Sequence, residues 1–531
     1  MRKINTYILL AIALCCIGCV SLEQEPYDKI KPSKTFNTVN DAQMWVNGVY
    51  HLLREQDQGE PMYLTDVQAD FLNLTNILST IKPTLRDFHR WKEITPSTEQ
   101  FETIWRNRFY IVANINTGLE GIEKMPNQDA VKVLKGELHL ARAHCYTYLV
   151  THYCKAYNPT TADTDLGLPI MNHFIIDDAP LRSSLKQTYE FILRDIAQAE
   201  TLLAGVAGRE GAETFTIDAV KALKARVLLY QNEWAAAYQT AKALIDTNKY
   251  PLVTTKNDLE GIWKDDTTKE TIIRLHTNIG TIVERPTWTN FIYIDEDLNM
   301  AFPFPPLPPF PPLPICGGNR QYLPTPNLIP TQDFVDLFSS SDWRKSIYIK
   351  EIDLNLDMPD FFGCPDPKEM YVVNKYPRNE RLTNAGETIP YYGHSPILFR
   401  IAEQYLIAAE AAYRNNEPAE AQHYLNTLRH ARGLTTSEDI NTVGTALFTD
   451  IQNERNRELC FEGVRLYDLN RWGLGVRRGT PQNPSLNMII TDPANELHQL
   501  NLPTGYYKMV WPIPQAEIDY ELGKWKQNPG W

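Results

Sequence analysis

The chain has no HExxH, no GxSxG and no glycine-rich run of the kind that cradles a phosphate, so the usual signatures of zinc peptidases, serine hydrolases and nucleotide enzymes are missing. Usable cysteine is scarce. Of eight cysteines, Cys15 and Cys16 lie in a leader and Cys19 ends it, which leaves Cys145, Cys154, Cys316, Cys364 and Cys460. Five is odd and the spacing is irregular, so no disulfide framework is implied. Positive charge is also short: 52 Lys and Arg face 65 Asp and Glu, a net of −13 that falls by two, to −15, when Arg2 and Lys3 leave with the leader. An acidic body excludes nucleic acid as a natural partner and discourages adhesion of the body to anionic lipid; a neutral or mildly polar ligand suits it better. The apolar run from Tyr7 to Leu14 is too short to stay in a bilayer as a spanning helix.

That run is part of a leader. Arg2 and Lys3 form its basic start, and Ile17, Gly18 and Cys19 stand where a lipoprotein signal has its small residue and acceptor cysteine. Cys16 occupies the position where Leu is usual. Residues 1–18 read as the signal peptide. Acylation of Cys19, with palmitate among the chains, would leave a body anchored to a membrane, since two or three acyl chains hold where one does not. Residues 19–35, with Pro26 and Pro32, read as a tether.

The body divides into a helical region, 36–250, an irregular region, 251–396, and a second helical region, 397–531. Thr38 or Asn40 caps a helix through about Arg54, with Ala42, Trp45, Val46, Val49, Tyr50 and Leu53 on one face. Further helices are predicted over Phe101 to Glu123, Asp129 to Tyr153, Leu185 to Leu203, Ile217 to Tyr230 and Glu233 to Asp246. The last two form one helix-turn-helix of tetratricopeptide length, with Ala222, Ala225, Ala235, Ala236, Ala237 and Ala241 allowing close approach. A second unit runs from Ile397 to Arg432, its first helix carrying Ile397, Leu398, Ile401, Ala402, Tyr405, Leu406, Ala409 and Ala412 on a buried stripe. Between the units, Phe302 to Pro314 (FPFPPLPPFPPLP) admits only polyproline II or irregular coil and reads as a surface loop.

Ile451 to Gly473 (IQNERNRELCFEGVRLYDLNRWG) reads as a charge-laced helix in which Glu462, Arg465, Asp468 and Arg471 alternate in sign at three-residue steps, with Gly463 allowing a break or a close approach. Glu458 and Glu462 share a helical face, the spacing an acid and base pair would use, but two carboxylates on a helix are commonplace. His139, His144, Cys145, His152 and Cys154 crowd one segment without any pair three or four apart. Cys145 and His152 share a face about 10 Å apart along the axis, too far for one tetrahedral metal, so no metal or cofactor is expected.

The run ERNRELCFEGVRLYDLNRWG, preceded by ILFRIAEQYLIAAEAAYRNNEPAEAQHYLNTLRHARGL and followed by VWPIPQAEIDYELGKWKQNPGW, resembles the SusD/RagB family of outer-membrane nutrient-binding lipoproteins of Bacteroidetes. IWRNRFYIVANINTGLEGI and GELHLARAHCYTYLVTHY extend the resemblance to the N-terminal half; the proline-rich run has no counterpart in the family pattern. The resemblance implies a mostly α fold, a tetratricopeptide-like helix-turn-helix scaffold with an irregular, loop-rich ligand-binding part. It implies a lipid-anchored protein exposed at the outer-membrane surface, partnered by a SusC-like TonB-dependent transporter that it caps. The motif residues Glu454, Arg455, Glu458, Phe461, Glu462, Gly463, Arg465, Asp468, Arg471 and Trp472 would then be structural.

An oligosaccharide ligand needs flat apolar faces for its C–H surfaces and a few polar side chains for its hydroxyls. Two stretches mix these residue types. One is DVQADFLNLTN, offering Asp66, Asp70, Phe71, Asn73 and Asn76, with Trp91 downstream; the other is WTNFIYID, offering Trp288 and Tyr293. For each aromatic, core packing is the competing role. The expected activity is capture of a glycan without catalysis. Two alternatives stay open: a peptide-binding member of the same family, and a glycan-cleaving surface enzyme built on carboxylates such as Asp66, Asp70 or Asp295.

Overall fold

The computed structural model describes residues 35–74, 83–174, 180–277, 328–354, 368–377, 379–382, 393–479, 481–482 and 500–531. The leader, Cys19, the tether, Asn76, Trp288, Tyr293, Asp295, the proline-rich run, Cys316 and Cys364 lie outside these residues. Cys145, Cys154 and Cys460 are buried free thiols.

Helices dominate, each set by local signals. Helix α1 (Val39–Gln56) starts at a reciprocal cap in which the Asp41 N–H donates to Thr38 Oγ1 and the Thr38 N–H to Asp41 Oδ2. Its apolar stripe Ala42, Val46, Val49 and Leu53 faces inward. After α2 (Glu60–Gln68), strand β1 (Leu72–Leu74) and α3 (Pro83–Arg90) come the two longest helices, α4 (Glu99–Glu123) and α5 (Gln128–Tyr153). Gly118 lets α1 meet α4: a Cβ there would stand 2.8 Å from the Trp45 ring, whose Nε1–H donates to Asn114 O. The short pair β2 (Leu166–Pro169) and β3 (Arg182–Ser184) leads into α6 (Leu185–Leu202), packed along α5, and then α7 (Ile217–Tyr230) and α8 (Trp234–Ile245).

The next helices in the stack come from far along the chain. Helix α9 (Lys256–Lys264), β4 (Thr271–Arg274), β5 (Leu328–Pro330), α10 (Gln332–Val335), α11 (Arg344–Ile347) and the hairpin β6 (Ile349–Leu354) and β7 (Lys368–Val373) belong to the irregular region. After strand β8 (Ile397–Arg400), α12 (Ile401–Arg414) packs directly on α8, and α13 (Pro418–His430) on α12. The Tyr238 hydroxyl donates to Glu420 at 3.0 Å and its ring meets Tyr424 edge-on. The two helix-turn-helix units read from sequence are therefore neighbours, with the irregular region inserted between them.

Two expectations are corrected. Ile397 to Arg400 do not begin the helix; they pair antiparallel with β4, Arg400 opposite Thr271 and Ile397 opposite Arg274, because β4 offers them backbone partners before the helix starts. Nor is Ile451 to Gly473 one helix. Helix α14 (Gly444–Leu459) stops, Phe461 and Gly463 take left-handed backbone at φ +65° and +72°, and α15 (Arg465–Arg471) resumes. A Cβ on Gly463 would lie 2.3 Å from Met62 O, so glycine is what allows α2 to approach. The three-residue charge ladder survives only as Asp468 to Arg471, at 2.8 Å. Among the described residues no helix is long and apolar enough to cross a membrane.

Candidate functional site

The sequence-nominated residues that are described stand inside the fold. Asp66 is fully buried at the end of α2, accepting the Gly463 N–H at 2.9 Å, and burial pushes its carboxyl up to about 8. Asp70 is held by both arms of Arg465 at 2.7 and 2.9 Å. Phe71 packs between Phe334 and Phe461. Asn73 is buried on β1, with neither atom of its side-chain amide hydrogen-bonded. Trp91, at φ +58°, donates from Nε1 to Gln68 O and fills a small core with Leu466, Leu469, Val476 and Met509. Asp66, Asp70, Phe71 and Trp91 therefore bind the N-terminal region to the C-terminal motif, and all five but the half-buried Asp70 are buried in this structure. For Trp91 the competing role of core packing describes its position.

What they support is a frame at the root of other segments. Strand β1 pairs antiparallel with β5, Leu74 opposite Leu328. Segment 75–82, which holds Asn76, thus departs beside the return of segment 278–327, which holds Trp288 and Tyr293. The start of the long segment is pinned as well: Leu275 N donates to Pro396 O, Thr277 N to Ser395 Oγ, and Arg54 of α1 to His276 O. Gln482 ties a third departure to the same frame. Its amide donates to Pro330 O and Tyr371 O and accepts from Tyr371 N, all within 2.8 to 2.9 Å. Sequence reasoning missed these roles of Gln482, Arg54 and Ser395, since each partner is remote in the chain.

Behind the frame lies a buried ion network that ties the family motif to the irregular region. Glu458, fully buried on α14, accepts from Arg344, Arg400 and Arg432 and from the Tyr348 hydroxyl. Burial alone would raise its carboxyl, but the three guanidiniums hold it well below the usual carboxylate range. Glu462 is matched by Lys375 and Arg400, and Glu454 by Arg344, Arg429 and Arg457. An acid and base role for Glu458 and Glu462 needs a group that can take up and release a proton beside a substrate; Glu458 is fully buried and already bound by three guanidiniums. Among the described residues no three His, Cys, Asp or Glu side chains converge as metal ligands.

Comparison with known proteins fits this architecture at both ends of the chain. A family model described as "SusD family" matches residues 364–531, and one described as "Starch-binding associating with outer membrane" matches residues 22–229. SusD-like protein P38 of Formosa agariphila is 25% identical over 523 residues, covering 91% of this chain and 94% of that protein. A crystal structure of a SusD superfamily protein from Bacteroides thetaiotaomicron shares the fold with a TM-score of 0.72 at 23% identity, covering 93% of this chain and all of that one. Surface glycan-binding protein A from Bacteroides thetaiotaomicron does so with a TM-score of 0.67 at 17% identity, over 93% and 100%. With the tetratricopeptide-like stack, the motif of α14 and α15 and both family models agreeing, the chain belongs to the SusD family.

Proposed function

We propose that the protein is a non-catalytic, lipid-anchored binder of oligosaccharide at the outer-membrane surface, which captures the glycan and delivers it to a SusC-like TonB-dependent transporter. The lipoprotein leader supports the anchor, and the family supports the ligand class and the partner. The observation that carries the reading is the strand pair β1 and β5, which sets Leu74 and Leu328, the residues flanking the segments that hold Asn76, Trp288 and Tyr293, opposite one another. Aromatic faces and an amide are what a sugar's C–H surface and hydroxyls require, and these segments carry both in sequence. On this reading Asn76, Trp288 and Tyr293 contact the glycan, while Asp66, Asp70, Phe71, Asn73 and Trp91 hold the frame from within.

The test is affinity electrophoresis of the body beginning after Cys19 against plant, fungal and host polysaccharides, with product analysis of the same samples. Retardation by one polymer without cleavage, lost in Trp288→Ala with Tyr293→Ala, is the expected result. Shortened products would instead mark an enzyme. Retardation by no polymer would direct the search to peptide ligands.

A further inference from the structure

Next to Ser395 and Pro396 of the frame, a cavity of about 140 Å³ lies where α1, α4, α5, α7, β8 and α15 meet, and none of the described residues nominated as glycan contacts lines it. A single water needs roughly 10 to 15 Å³ by such a measure, so the space is about ten times that and admits a molecule of several heavy atoms. Its charges are already matched. Arg108 pairs with Asp57 at 2.8 Å, Arg226 with Glu403 at 2.6 Å, Arg400 with Glu462 at 2.6 Å and Asp266 with His394 at 3.1 Å. An ionic ligand would enter with no free countercharge, at a heavy desolvation cost.

Among the unmatched groups are three acceptors. His152 is more than nine-tenths buried, its Nδ1 lies 2.7 Å from Tyr148 O, and its Nε2 has no partner. The short contact to a carbonyl puts the proton on Nδ1, and burial lowers the ring to about 3, so Nε2 presents a lone pair at neutral pH. Asp57 Oδ2 and Gln56 Oε1 are likewise buried without partners. The three belong to one contiguous wall: Arg108 joins Gln56 O and Asp57 and covers the face of Tyr148, on which the His152 ring stacks at 3.9 Å. Tyr148 and Trp263 add apolar surface. Unpartnered acceptors stand here with unpartnered donors, Arg108 Nε and Nη1 and Trp263 Nε1, beside aromatic surface and balanced charge; a neutral molecule with several hydroxyl groups can donate to the first and accept from the second.

We propose that this cavity binds a small neutral polyol or a monosaccharide, its hydroxyls donating to His152 Nε2, Asp57 Oδ2 and Gln56 Oε1. The proposal does not rest on the glycan-contacting segments. The experiment is equilibrium dialysis of the full-length lipoprotein in detergent with radiolabelled glycerol and, separately, radiolabelled glucose, each with acetate as a charged competitor. The expected result is saturable binding of at least one solute, undisturbed by acetate. It should persist in Trp288→Ala and weaken tenfold or more in Thr147→Leu, which fills the cavity, and in Gln56→Leu, which removes an acceptor but no hydrogen bond made by that side chain within the protein. A melting curve matching the parent's establishes that each variant is folded, and Gln56→Leu decides if Thr147→Leu is not. Saturation by neither solute would overturn the proposal and leave water as the occupant; so would binding that a folded cavity variant leaves unchanged. Loss in Trp288→Ala alone would assign the binding to the outer segments and overturn it too.

Discussion

At the scale of single residues, the family motif exposes two costs that the fold accepts. Asp66 titrates near 3.9 when unfolded and near 8 when folded, because burial outweighs the one N–H it accepts. Between those values the folded chain keeps a proton that the unfolded chain has released. Stability therefore falls as pH rises through that window, by at most about 1.4 kcal/mol per pH unit for this group. Glu137, raised by burial to about 8, adds a second contribution of the same sign. Asp66→Asn should flatten the decline between pH 5 and 7 without abolishing it, measured as urea midpoints at several pH values. The second cost is steric. Gly463→Ala must hold a left-handed backbone and place its Cβ against Met62 O, so a loss of about 1 to 3 kcal/mol is expected from the backbone alone, more if α2 cannot yield. A urea midpoint equal to the parent's would show that α2 moves away freely.

At the scale of elements, the network around Glu458 on α14 joins α11, β8 and Arg432, which follows α13, and α11 lies about 50 residues before β8. Glu458→Gln keeps the shape but leaves three guanidiniums short of charge in a buried place, a change expected to cost about 3 to 5 kcal/mol. Thermal unfolding of the variant should begin earlier, and an unchanged midpoint would mean that the remaining carboxylates suffice. Helices α1, α4, α5, α6, α7 and α8 were legible in the sequence to within one or two residues, because a cap and a periodic stripe are local. The strand at Ile397 to Arg400 was not, since its apolar residues fit a helical stripe equally well and only the distant β4 decides. The break at Phe461 was foreshadowed by Gly463, but its cause, Met62 on α2, lies about 400 residues away. Asp66, Phe71 and Trp91 had the right chemistry for a ligand and also the right chemistry for a core; composition alone could not separate the two.

At the scale of the whole molecule, the scaffold and the segments that depart from it should be separable. Both ends of 278–327 are fixed by pairing to other parts of the body, Thr277 to Ser395 and Leu328 to Leu74. Replacing residues 279–326 with about ten Gly and Ser residues changes the closure entropy by only about 1.4 kcal/mol, in the stabilising direction. The shortened protein should melt within a few degrees of the parent and show no retardation by any polysaccharide that retards the parent. Unfolding of the shortened protein would show instead that the segment is part of the core.

The contact between α8 and α12 also has a meaning in time. The side of α8 bearing Tyr238 finds its cover in α12 and α13, roughly 155 or more residues later in the chain. A ribosome adding about 5 to 20 residues per second leaves that side waiting for about 8 to 30 s. An N-terminal half with an uncovered aromatic and alanine-rich face is a species that chaperones would have to hold, and one that a chain truncated before Ile401 would retain permanently.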